Sequence, residues 1–253
     1  MAAPRLSLAQ LIRLNAIAFG LTMVAGTVEP ALLGHRLFAL VQEPSQRALW
    51  FGLITFSGLA VATIVQPLVG AVLDRWGRQA ILIVTGVCVA ISGLLLVAFA
   101  THLWLVGAGV LTVQLGINAA LAAWQPVLAR DVRAEQRGAA SGVRSALELA
   151  AGAAARVSAG ELLAAAAGLG QLTLLLLLTP PIGAVTLGAA LTLCALPRFT
   201  GITRSPGFDR PFGTLRRALS LRGAPPAFVW WFIARSTFWC GALSSSAFLL
   251  FIA

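Results

Sequence analysis

The chain is broken into apolar runs of about 20 residues or more by short arginine-bearing links, and this spacing constrains its fold more than any other feature. A helix needs roughly 20 apolar residues to cross a bilayer core ~30 Å thick. Six such runs are legible, approximately Leu14 to Leu40, Leu49 to Leu73, Ala80 to Ala100, Leu103 to Leu128, Ala140 to Ala166 and Leu169 to Leu196. A seventh, Ala227 to Ala253, meets the end of the chain. The fifth stands apart, because it carries Arg144, Glu148, Arg156 and Glu161 and owes its apolar character mostly to alanine. Inside lipid every backbone N–H and C=O must be satisfied within the protein, so the runs are predicted to be helices and the fold all-α.

Composition agrees with that reading. Fifty-nine per cent of residues are hydrophobic and 10% charged, whereas about a quarter are charged in soluble domains. An integral membrane protein is expected. Met1 to Ala25 has the positive start and apolar run of a signal peptide, but the apolar stretch continues to Val28 and other spans follow, which predicts an uncleaved first helix. The net charge of +10 rests on arginine, since the chain has no lysine. These arginines lie between spans rather than on one soluble face, so no nucleic-acid partner is expected. Cys88, Cys194 and Cys240 fall within apolar runs, which predicts neither a disulfide framework nor a metal site. His35 and His102 fall at helix ends and read as interfacial residues.

Thirteen arginines fall on one side of the alternating spans and two, Arg36 and Arg47, on the other. The positive-inside bias then predicts a multi-pass protein of the cell membrane with a cytoplasmic N-terminus. The segment from Pro197 to Pro226 holds five prolines, four glycines and six arginines and reads as a cytoplasmic connector. Within it, Pro211 to Arg222 is suited either to a basic amphipathic helix on anionic lipid or to a solvated linker. The expected organisation is a six-helix bundle over 1–196, a connector over 197–226 and one further helix over 227–253.

Between the second and third runs lies Gly70-Ala71-Val72-Leu73-Asp74-Arg75-Trp76-Gly77-Arg78-Gln79. This turn resembles the loop between the second and third helices of the major facilitator superfamily, roughly G-x-L-x-D-R-x-G-R-R/K. Gly70, Asp74, Arg75, Gly77 and Arg78 match, whereas Gln79 replaces a cation. The fifth run opens with Arg137, Gly138, Ala140 and Gly142, similar to the family's R-G-x-A-x-G. The resemblance implies two six-helix bundles rocking about a central site, and a conformational latch in which Asp74 attracts a helix N-terminus of the other bundle. This chain would then be the first half, the connector and the start of an incomplete second half, either as a fragment or as a truncated product. Two departures accompany the match. Leu111 stands where many proton-coupled members carry arginine, and Ala150 to Gly160 lacks the proline of drug antiporters.

Polar residues in membrane helices are costly and mark functional positions. At about 100° per residue, Asn15, Thr22, Gly26 and Glu29 share one face of the first helix, and Pro30 is expected to weaken the helix beside Glu29. Glu29 reads as a proton or cation carrier, or as a partner of Arg36 or His35. Gln114, Asn118 and Gln125 share a face of the fourth helix, as ligand contacts or as interhelical hydrogen bonds. Arg144 and Glu148 are one turn apart on the fifth. That pair meets an anionic substrate or neutralises itself, while Arg156 needs a partner beyond its own helix. In the seventh run Arg235, Trp239, Ala242 and Ser246 share a side. By the resemblance, the first, fourth and seventh helices line the pathway.

The expected activity is secondary active transport of a small solute by alternating access, with proton or cation coupling open. The alternative is a non-transporting protein of the same fold that binds lipid, pigment or a partner complex. No nucleophile–base pair, metal-ligand spacing or nucleotide loop is legible, so neither enzyme activity nor a cofactor is expected. The expected partners are the solute, the bilayer and a second helical bundle.

Overall fold

Ser7 starts the first helix. Its hydroxyl accepts from the Gln10 N–H at 3.3 Å while the Gln10 side chain accepts from the Ser7 N–H at 2.8 Å, a reciprocal cap that satisfies two of the donors left free at a helix start. In this computed structural model, residues 5–165 and 171–196 and positions 226, 229, 230, 233, 234 and 237 are described. Helix α1 covers Leu8–Thr27, continues through a π-helical segment, Val28–Leu33, and ends as α2, Gly34–Leu40. Pro30 brings no N–H to the helix ladder, and the bonding widens across it. The expected weakening beside Glu29 therefore takes the form of a π-segment rather than a break.

Helix α3 spans Pro44–Trp76, with its proline at the first turn where no donor is needed. It ends at Gly77, whose φ of 63° lies in the left-handed region that closes helices. Then follow α4 (Gln79–Ala98), α5 (Leu103–Asp131), a 3₁₀ turn (Ala134–Gln136), α6 (Arg137–Ala165) and α7 (Gln171–Ala195). The described residues contain no strand. Helices α1, α3, α5 and α6 extend beyond the predicted runs at one or both ends, because chain outside the apolar runs is helical as well, whereas α4 ends at Ala98 and α7 at Ala195, short of the predicted Ala100 and Leu196.

Among the described residues, five helices are long and apolar enough to cross a membrane: Leu8–Leu40, Pro44–Trp76, Gln79–Ala98, Leu103–Asp131 and Leu176–Ala195. Helix α6 is long enough but too charged, in keeping with its singular composition.

The core forms where α1 packs on α7 and α6, and α4 on α5. Without a hydrophobic drive between helices in lipid, close contact depends on small residues. Gly86 and Gly93 of α4 face Gly116 and Gly109 of α5. A Cβ on Gly93 would lie 2.5 Å from the Val113 nitrogen, and one on Gly86 would lie 2.7 Å from that of Ala120. Across α1 and α7, Thr192 Oγ1 accepts from the Ile17 N–H at 3.0 Å and donates to the Arg13 carbonyl at 3.2 Å. By contrast, Gly138 and Gly142 have no described atom within 4 Å of an added Cβ.

The chain divides into two compact units, Met1–Arg204 and Ser205–Ala253. In the second, the six described positions are helical. The connector up to Pro225, with its basic segment Pro211 to Arg222, most of the seventh run and Arg235 lie outside the described residues.

Candidate functional site

The π-segment holds Glu29 toward α5, where Gln114 Nε2 donates to its Oε1 at 3.2 Å. Gln114 Oε1 in turn accepts from Asn118 Nδ2 at 3.2 Å, and that nitrogen also donates to the Gln114 carbonyl at 2.8 Å. Asn118 Oδ1 accepts from Gln66 Nε2 of α3 at 2.7 Å. Gln66, Asn118, Gln114 and Glu29 thus form one chain of hydrogen bonds through three segments. Glu29 and Gln114 are half-buried, Asn118 is buried and Gln66 is exposed. Gly58 makes room for it, since a Cβ there would lie 2.9 Å from Gln114 Cγ.

The chain has a direction. An ionised carboxylate only accepts, so Gln114 must turn its NH₂ to Glu29 and its oxygen to Asn118. Asn118 must then give its nitrogen to Gln114 and its oxygen to Gln66. With Glu29 ionised, each amide is oriented by the charge at the end of the row.

A second cluster lies between α5 and α6. Arg144 Nε donates to Glu148 Oε1 at 2.7 Å, with the two side chains 28% and 34% exposed. The Arg144 guanidinium lies 5.1 Å from the ring centre of Trp124, within the range of a cation–π contact. Trp124 is buried and donates through Nε1 to the Leu14 carbonyl at 2.8 Å. The pair is thereby tied through Trp124 to α1.

Other candidate residues are placed elsewhere. Asn15 is buried, donates to the Leu11 carbonyl at 2.8 Å, and its Oδ1 has no hydrogen-bond partner among the described residues. Thr22 and Gln125 are half-buried and lie outside the hydrogen-bonded row. Glu29 meets Gln114 rather than Arg36 or His35. Arg156 needs no buried partner, because it is exposed.

At the opposite end of α3 from Pro44, Asp74, Arg75 and Arg78 are exposed and Gly70 is half-buried. Gln79, where the resembled turn has a cation, is buried and donates to the Ala123 carbonyl at 2.6 Å. Its oxygen accepts from Arg130 of α5 at 3.3 Å, a guanidinium that is itself paired with Asp131 at 2.8 Å. Nearby, Arg137 donates to the Ala129 and Val132 carbonyls at 2.5 and 3.3 Å, satisfying acceptors at the end of α5. Gln136 exchanges two hydrogen bonds with Leu6, at 2.8 and 2.9 Å, holding the chain's beginning against the α5–α6 link.

Two contributors escaped the sequence reading. Gln66 has only Thr63 near it at helical spacing, too little to mark a stripe, and Thr192 is one hydroxyl in a long apolar run. Comparisons with family models, curated proteins and solved structures found no match to this chain.

Proposed function

We propose that this protein is a secondary active transporter of the major facilitator type, moving a small solute across the cell membrane by alternating access. The carrying observation is the oriented row Gln66–Asn118–Gln114–Glu29, set among apolar helices and ending on an exposed amide. Hydrogen bonds between neighbouring membrane helices also serve as adhesion. A carboxylate at the end of a row of amides supplies more than adhesion. It sets which atoms the exposed end offers.

With Glu29 ionised, Gln66 has one N–H engaged by Asn118 and offers its oxygen and its second N–H to a solute, so the exposed end can both accept and donate. Protonated Glu29 can itself donate, which allows the amides to turn over and Gln66 to offer NH₂ instead. Proton occupancy and solute preference are coupled through this row. Arg144 and Glu148, partly exposed beside Trp124, supply a second polar contact on α6. In this reading the N-terminus and the Asp74 turn are cytoplasmic, the six helical segments form the first bundle, and Asp74 latches the second.

The test is flux in proteoliposomes loaded with a pH-reporting dye, with radiolabelled hexoses and organic anions supplied one at a time across an imposed proton gradient. Solute accumulation that moves protons, with Glu29→Gln uncoupling the two, is expected. Vesicles in which no tested solute crosses faster than in protein-free controls would favour the non-transporting alternative.

A further inference from the structure

At the end of the bundle away from the Asp74 turn, α3 and α5 part to leave an apolar groove of about 280 Å³. Trp50, Leu53 and Ser57 of α3 and Trp104, Gly107 and Leu111 of α5 line it. The Trp rings meet edge to face, 5.6 Å between centres. Trp50 lies six residues past Pro44 and Leu111 eight past Leu103, depths of about 9 and 12 Å at a helical rise of ~1.5 Å per residue. The groove therefore runs from the level where tryptophans gather at a membrane surface into the hydrocarbon.

Its lining asks for no polar occupant. The Ser57 hydroxyl already donates to the Leu53 carbonyl at 2.7 Å. The surrounding face is open, with Trp104 79% exposed and Leu53 and Phe56 also exposed. One turn above Trp50 stands Arg47, its guanidinium 4.6 Å from the Phe38 ring centre and donating to the Val41 and Gln42 carbonyls. It forms no ion pair among the described residues, and the Glu43 carboxylate four positions before it keeps its own charge. Glu43, at the same end, is taken up by Ser45 and Gln46. A fixed positive charge above an apolar slot on a spanning helix pair is complementary to a phosphate ester carrying a hydrocarbon chain.

We infer that this groove is a binding site for one acyl chain of an anionic phospholipid, with the lipid phosphate at Arg47. This goes beyond the transport reading, since the groove uses none of the row's residues, and it stands if that reading fails.

Photo-crosslinking tests it with the full chain in vesicles containing phosphatidylglycerol that bears a diazirine midway along one acyl chain. Adduct mass spectrometry should place label on Leu53, Ser57 and Leu111 at several times the yield on Ile81, Val84 and Leu187, which are exposed elsewhere on the bundle. Groove labelling should saturate at low probe fraction. A Cβ on Gly107 would approach Ile54 only to 3.9 Å, so Gly107→Leu can fill the slot and should cut groove labelling several-fold while sparing the three control positions. Ser57→Phe, from the exposed rim, should do the same and guards against misfolding of the first variant. Arg47→Gln should remove the preference for this probe over its phosphatidylcholine counterpart. Groove labelling equal to the controls, or unaffected by both filling variants, would overturn the inference.

Discussion

Glu29 orients three amides, so its neighbours should fail in graded fashion. Asn118 is buried and bonded on both sides, and Asn118→Leu leaves Gln66 and Gln114 each short of a partner. Interhelical hydrogen bonds in membranes average about 0.6 kcal/mol, so thermal unfolding in detergent should show a loss of about 1 kcal/mol. Gln66→Leu, at the exposed end, should cost less in the same assay yet reduce transport more, because it removes the atoms offered to solute. Trp124→Phe removes both the hydrogen bond to Leu14 and much of the attraction for Arg144, and a loss of about 1–3 kcal/mol is expected. Glu29, Gln114, Asn118, Arg144 and Glu148 were legible in the sequence because each has a polar companion, one turn away or on a shared stripe. Gln66 was not, because its partner is 52 positions away on another helix. Asn15 shows the converse. It shares a helix face with Glu29, but its amide is spent on its own helix.

At the scale of elements, helices were readable from hydropathy and their packing was not. Which glycines touch depends on how helices pair, and Gly86, Gly93, Gly109 and Gly116 lie in apolar runs that offer many alternatives. Gly93→Val should destabilise the protein by about 1–3 kcal/mol, because α4 must move off the backbone of α5. Gly142→Ala, beside open space, should be neutral or stabilising by up to about 1 kcal/mol, as expected for glycine replaced within a helix. If the open face of α6 meets the second bundle in the transport cycle, Gly142→Leu should reduce flux while leaving detergent melting unchanged. Separate flux and melting measurements check both halves of that statement. The exposed Arg156 belongs to the same reasoning, since a charge buried in sequence context became a surface charge once α6 took its place at the edge.

For the whole molecule, five apolar helices are compatible with a multi-pass membrane protein. The thirteen-to-two arginine bias predicts a cytoplasmic N-terminus. Asp74 and its arginines are exposed at one end of the bundle, suited to meet another body. Asp74→Asn should impair transport without altering insertion, measured as flux normalised to protein in the membrane; unchanged flux would remove the latch from the account. The central claim is that the row ending at Gln66 faces a water-filled path, and side-resolved thiol labelling tests it most directly. Gln66→Cys, in a background with Cys88, Cys194 and Cys240 replaced by serine, would be treated with a membrane-impermeant maleimide on either face of sealed, oriented vesicles. The account predicts labelling at a rate near that of a loop control, Glu135→Cys, with the favoured face changing when a proton gradient is reversed. A thiol at position 66 that stays unmodified from both faces while the loop control reacts would contradict it.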